Sequence, residues 1–154
     1  MDSGRKTCCM VDCGKIPADK LDYARRELER EIGAALEDGY RNFLTEFAEG
    51  AGILFARCVN ERRGEYSDIY LEVVLHTKNC EQFSRDDWEL LSKSNGIRGL
   101  CEECKQDYPL SVIRYLVEQS SRVIAIYNEH DTEGRLFAMD YARTMERDLR
   151  IITI

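Results

Sequence analysis

Two sets of side chains in this sequence have types and spacings that could do chemistry. Cys101-Glu102-Glu103-Cys104 is a Cys-x-x-Cys pair, and His76 and Cys80 lie upstream of it. Together His76, Cys80, Cys101 and Cys104 could supply the nitrogen and sulfur ligands of a tetrahedral zinc site. The simpler reading is free thiols in loops. Cys8, Cys9, Cys13, Cys58, Cys80, Cys101 and Cys104 are an odd number, and no signal-peptide core precedes them. A reducing compartment keeps such thiols unpaired, and several are expected as small buried hydrophobes. Thioredoxin-like use of the Cys-x-x-Cys is disfavoured, because two glutamates between the cysteines oppose a thiolate. No metal and no cofactor is expected.

The second set is acidic. Asp12, Glu46, Glu49 and Glu133 could do general acid and base work if they converge. Dispersed, they would be solvated loop charges or helix caps, and no catalytic residue can be assigned among them. Ser120-Ser121 lacks the flanking glycines of a nucleophile elbow. His130, between Glu129 and Asp131, reads as a surface residue. Arg25-Arg26 and Arg62-Arg63 read as solvated helix faces balanced by nearby glutamates. Phe137 and Tyr141, one helical turn apart, read as core rather than as a stacking platform.

Placing these residues requires the elements that carry them. Thr7–Val11 is a short β-prone run. Asp19 is a candidate N-cap for a helix in which Leu21, Ala24, Leu28, Ile32, Ala35 and Leu36 keep helical spacing, and Gly39 stands where a helix-ending glycine would. Tyr40–Phe47 reads as a strand, and Ile53–Val59 as a second helix. Ile69–Leu75 is β-branched and almost wholly apolar, the pattern of a strand covered on both faces. A short helix is predicted over Arg85–Ser92, a short strand over Gly96–Leu100, a proline-opened helix over Pro109–Gln119 and a strand over Ser121–Tyr127. A helix over Gly134–Asp148 and a last strand over Ile151–Ile154 complete the pattern. Alternating strands and helices imply βα units, a mainly parallel sheet and helices on both faces. The fold class is therefore α/β: a single three-layer Rossmann-like domain spanning residues 1–154, with five to six strands.

The chain has 154 residues, 22 Lys+Arg and 29 Asp+Glu, for a formal charge of −7. That length suits one domain. A net-negative surface repels phosphate backbones and acidic lipid, so no broad nucleic-acid binding and no membrane association are expected. No apolar run approaches the ~20 residues of a membrane span. The expected location is cytoplasmic.

In an open parallel sheet, ligands collect beyond the carboxyl ends of the strands, where helix N-termini favour anions. The segments to watch are therefore 12–15, 46–52, 76–78, 101–104 and 128–135. Four stretches in this order carry a resemblance: Thr7-Cys8-Cys9, FLTEFAEGAGILFA at Phe43–Ala56, RYLVEQSSRVIAIYNE at Arg114–Glu129 and EGRLFAMDYA at Glu133–Ala142. They resemble the YpsA-like branch of the SLOG superfamily. These are Rossmann-like proteins related to the DNA-processing protein DprA and to LOG-type nucleotide phosphoribohydrolases. The resemblance runs from about Lys6 to Ile152. It implies a sheet-edge pocket for a nucleotide or nucleotide-derived ligand, and its phosphoribohydrolase branch cleaves N-glycosidic bonds.

The departures from that pattern carry the functional expectation. Where the first family loop reads T-G-H-R-P, this chain has Val11-Asp12-Cys13-Gly14-Lys15. In the second loop Glu46 stands near a usual glycine and Gly52 near a usual acidic residue, while Glu49-Gly50 keep the local pattern. In the third, Arg114 is the one arginine retained of an R-N-R-like stretch. In the fourth, Glu133-Gly134-Arg135 replaces G-G-T. The ligand-site residues implied are Asp12, Cys13, Gly14, Glu46, Glu49, Gly50, Arg114, Glu133, Gly134 and Arg135. Glycines let backbone N–H groups approach a phosphate, whereas a carboxylate repels it. Two like charges ~4 Å apart cost ~4 kcal/mol at an effective dielectric of ~20. The expectation is a lost or repurposed phosphate site in a binding domain that does not transform its ligand. Two alternatives stay open: a nucleotide N-glycosidic hydrolase using Glu49 or Glu133 with Arg135 or Arg114, and a degenerate scaffold acting through protein contacts. A nucleotide-derived small ligand and a homo-oligomer are the partners left open.

Overall fold

A computed structural model of the chain describes residues 5–48, 50–76, 82–100, 108–132 and 134–154. Six strands form one sheet: β1 (Thr7–Cys13), β2 (Asn42–Glu46), β3 (Tyr70–His76), β4 (Gly96–Leu100), β5 (Arg122–Tyr127) and β6 (Asp148–Thr153). Their order across the sheet is β4-β3-β2-β1-β5-β6, and all five pairings are parallel. The sheet is thus wholly parallel, and its strand count meets the upper end of the sequence expectation.

Among the described residues five helices connect the strands: α1 (Leu21–Glu37), α2 (Ala51–Glu61), α3 (Arg85–Ser92), α4 (Tyr108–Glu118) and α5 (Phe137–Thr144). The chain steps outward from β1 to β4, and α4 carries it back across the sheet to β5. Constant right-handed crossover then puts the two sets of helices on opposite faces. One core joins Leu28 and Ile32 of α1, Phe55 and Val59 of α2, and Leu90 and Leu91 of α3 to Met10, Phe43 and Leu71. The other joins Val112, Ile113 and Leu116 of α4 and Ala138, Met139 and Ala142 of α5 to Val11, Leu44 and Val123. Period-two alternation in β1 sends Cys8 and Met10 into the first core and Cys9, Val11 and Cys13 into the second. Each fully buried Leu, Ile or Phe contributes about 1.5–3 kcal/mol, so α1 is held by its stripe rather than by a cap.

That point corrects one sequence expectation. Asp19 is not the N-cap of α1. It lies in a 3₁₀ turn over Ala18–Lys20, Lys20 takes the cap position, and no side chain caps the helix. By contrast α3 starts on a capping box: the Ser84 hydroxyl accepts from the Asp87 N–H at 3.1 Å, and the Asp87 carboxylate accepts from the Ser84 N–H at 3.0 Å. Gly39, with φ +93°, follows the C-cap of α1 as expected. No described helix is long and apolar enough to cross a membrane.

Candidate functional site

Strand order reverses at β1, where the chain leaves β1 for one face and β5 for the other. The loops at this switch point are bound to each other. The Asn128 N–H donates to the Cys13 carbonyl at 3.4 Å, and the Asn128 side-chain amide donates to the Lys15 carbonyl at 2.8 Å. The Lys15 N–H donates to the Asp131 carbonyl at 3.3 Å. Gly14 is buried between them with φ +143°, and a Cβ there would meet the Asp131 carbonyl oxygen and sit 2.8 Å from Asn128 Cβ. Only glycine fits this approach. Asn128 was not singled out from sequence, and its place after the β5 run was the one available signal.

The crevice lies one strand over, beyond the ends of β1 and β2. Met10, Ile113 and Leu116 give it apolar walls, and Asp12, Thr45, Glu46 and Arg135 face into it. Its room for the centre of a water molecule is about 10 Å³, enough for one water. Gly52, in the first turn of α2, packs so close that a Cβ would land on the Glu46 carbonyl oxygen. Glu46 is 8% exposed, and its Oε1 accepts from Arg135 Nη1 at 3.0 Å. Asp12 Oδ1 accepts from the Gly14 N–H at 3.2 Å, which folds the β1 loop back onto its own strand. The Thr45 hydroxyl donates to the Glu46 carbonyl at 3.3 Å.

Of the ten residues implied from sequence, the crevice brings together Asp12, Glu46 and Arg135. Cys13 is buried beside them on β1, and burial, then Asp12, pushes its thiol up to about 12 against the pull of Arg135. Gly14 serves the loop–loop bond described above. Gly50 is exposed at the N-cap of α2 with φ +95°, and Gly134 is exposed with φ +72°. Arg114 is exposed on α4 and does not line the crevice. Glu49 and Glu133 lie outside the described residues. So do Cys80, Cys101 and Cys104 of the zinc quartet, while His76 is buried at the end of β3. Among the described residues no cluster of three or more His, Cys, Asp or Glu side chains could hold a metal ion, and Cys8, Cys9, Cys13 and Cys58 are free and buried.

The surface readings hold at several positions. His130 is exposed. Arg25 pairs with Glu29 at 3.0 Å and Glu61 at 2.8 Å, and Arg62 pairs with Glu65 at 3.8 Å. Arg63 corrects the expectation: it is half-buried in a 3₁₀ turn and donates to Asn60 Oδ1 at 2.9 Å, the Ile69 carbonyl at 3.1 Å and Asn95 Oδ1 at 2.7 Å, so it ties the end of α2 to the segments beside β3 and β4 rather than facing water. Phe137 and Tyr141 pack against the α4–α5 core, with the Tyr141 hydroxyl donating to Glu118 at 2.7 Å.

No family model matches the chain, and no curated protein matches it. Among solved structures, the X-ray structure of TM1055, a structural-genomics target, is similar over 94% of this chain and 72% of its own, with a TM-score of 0.58 and 14% identity. The fold is Rossmann-like. A protein from Aquifex aeolicus VF5 aligns over 97% of this chain and 74% of its own, with 10% identity and a TM-score of 0.36, too low to carry an argument. At these identities the likeness shows architecture alone.

Proposed function

We propose that this chain is a cytoplasmic, YpsA-like SLOG domain that binds a small ligand, nucleotide-derived or otherwise, at the crevice beyond β1 and β2, which widens from its closed, one-water form to admit it, and does not transform it. The observation that carries this reading is the Glu46–Arg135 pair at 3.0 Å. In a phosphate cradle an arginine at this place would meet the ligand's anion. Here a carboxylate of the chain itself meets it, and Asp12 adds a second formal negative charge to the same walls. A phosphate entering the crevice would have to part Arg135 from Glu46 and then face both carboxylates, at ~4 kcal/mol for each like-charge contact near 4 Å. The crevice therefore favours a ligand that enters without a phosphate against Arg135. The four free, buried thiols support a reducing location.

Isothermal titration of the purified protein with AMP and with ADP-ribose, beside the Glu46→Gln variant, tests this reading. The natural chain is expected to bind neither at micromolar concentration, and the variant is expected to bind at least about tenfold more tightly. Micromolar binding of AMP by the natural chain would overturn the altered cradle. Release of free base from nucleoside monophosphates would replace the binding domain with the hydrolase.

A further inference from the structure

Among the described residues the sheet ends on two edge strands, β4 and β6. Strand β4 is five residues long and carries two glycines, Gly96 and Gly99, which makes it a poor template for pairing. Strand β6 is six residues long, with no proline, glycine or lysine to blunt it. Its charges are engaged within the chain: the Asp148 carboxylate accepts from Arg122 Nε at 2.9 Å and from Arg150 Nε at 2.9 Å. Ile151 stands 42% exposed on this edge.

The bonds to β5 fix which way the backbone of β6 points. The Asp148 N–H donates to the Ser121 carbonyl at 3.0 Å, and the Ile154 N–H donates to the Tyr127 carbonyl at 2.9 Å. Alternate residues of a strand aim their N–H and C=O groups the same way. Residues 148, 150, 152 and 154 therefore face β5, and Leu149, Ile151 and Thr153 aim their donors and acceptors outward. The same alternation puts the side chains of Leu149 and Ile151 on the α5 face and Ile152 in the α1 core.

We propose that β6 is a self-pairing edge: two copies of the chain join antiparallel about a two-fold axis through Ile151, continuing one sheet into the other. Side-chain faces match only in registers that pair a residue with another of the same parity. Centring on Arg150 sets two guanidinium groups directly opposite each other, which is destabilising, and leaves two pairs exchanging outward bonds. Centring on Ile151 sets Ile151 against its copy and Leu149 of each copy against Thr153 of the other. Three pairs then exchange two bonds each, about six in all. Arg150 falls opposite Ile152, away from its copy. Charge and backbone geometry thus select the same register and the same occupant. One strand pair gives a small contact, below about 1,200 Å², so the dimer exchanges with monomer in solution.

Sedimentation velocity across low to high micromolar concentration reads this directly. The natural chain is expected to pass from monomer to dimer, and Ile151→Lys to weaken the dimer at least about tenfold by opposing two lysines on the axis. Oxidation of Ile151→Cys is expected to crosslink two copies, since directly opposed Cβ atoms lie ~5 Å apart. Arg150→Cys is expected to crosslink no more than the natural chain does, because its copies are offset by two residues, ~7–8 Å. Hydrogen exchange of the natural chain supplies a measure free of substitution: the amides of Leu149, Ile151 and Thr153 should gain protection as concentration rises. A monomer at every concentration, a dimer indifferent to Ile151→Lys, or equal crosslinking at positions 150 and 151 would overturn the proposal.

Discussion

Arg135 Nη1 and Glu46 Oε1 meet at 3.0 Å although the residues are 89 positions apart in the chain. The contact ties the segment before α5 to the end of β2, and both side chains are largely withdrawn from water. Removing Arg135 takes this counter-charge away from the Glu46 carboxylate. Arg135→Ala is expected to cost about 2–3 kcal/mol, because Glu46 is then left beside Asp12, and Glu46→Gln about 1 kcal/mol, because an amide still accepts. Urea unfolding of both single variants and of Arg135→Ala/Glu46→Gln should show a coupling of at least ~1 kcal/mol. Strict additivity would mean that the two side chains do not interact in solution.

Two glycines at the start of α2 separate steric contact from backbone strain. A Cβ at Gly52 would land on the Glu46 carbonyl oxygen, and backbone cannot swing aside. A Cβ at Gly50 meets nothing within 4 Å, although φ there is +95°. Gly52→Ala should therefore cost about 2–3 kcal/mol, as overpacking against a fixed neighbour does. Gly50→Ala should cost about 1–2 kcal/mol, the penalty of a side chain at φ +95° and ψ −125°, a combination that glycine alone adopts readily. Thermal unfolding should rank Gly52→Ala below Gly50→Ala. The reverse order would show that α2 does not sit against the end of β2.

Local pattern was enough to read the elements where one signal dominated. The bounds Arg85–Ser92 and Gly96–Leu100 are those expected from sequence, since a polar cap opens the first and Gly96 opens the second. The end of the chain was harder. A helix expected over Gly134–Asp148 covers only Phe137–Thr144, because the chain turns at Glu146 with φ +58°. Strand β6 then begins three residues before the expected Ile151. Asp148 and Arg150 hid it, since charged residues inside a strand break the apolar run. They are tolerated there because Asp148 pairs with both Arg150 and Arg122. At the crevice, sequence named Glu46 and Arg135 as ligand-site residues without linking them. Only the fold shows that they engage each other, since no local periodicity links positions so far apart.

The base of the sheet predicts an acid limb in stability. Arg122, 5% exposed, donates to Asp38 at 2.7 Å and Asp148 at 2.9 Å and stacks over Tyr40. Hydrogen bonds from Arg150, then from Arg122, hold the Asp148 carboxyl below its ordinary range. A lowered folded value stabilises the fold above the unfolded value of about 3.9, and that contribution is lost as pH falls through the folded value. Asp148 is partly exposed, so screening trims the effect. Asp148→Asn should cost about 1–2 kcal/mol at pH 7, and the gap to the natural chain should close below about pH 4. A gap that stays constant into acid would show that Asp148 does not act through its charge.

The buried thiols make the opposite prediction at high pH. Cys8 and Cys9 lie in the first half of β1, Cys13 at its end, and Cys58 on the buried side of α2. Burial pushes Cys9, Cys13 and Cys58 up to about 12, and Cys8 well above its ordinary value. The thiolate is the species that alkylates, so iodoacetamide at pH 8 should leave these four unmodified in the folded chain. In denaturant all seven cysteines of the sequence should label, and peptide mass mapping separates the two outcomes. Raised folded values favour the neutral thiol. Their contribution is therefore whole below the unfolded value of about 8.5, and it is lost as pH rises from there toward the folded values near 12. Alkaline unfolding should accordingly begin above about pH 8.5, and Cys9→Ala should flatten it. Cys13 is the informative member, because it closes β1 beside Asp12 and Arg135. Labelling of Cys13 in the folded chain at the rate of an exposed thiol would mean that this end of the strand opens, and the crevice with it.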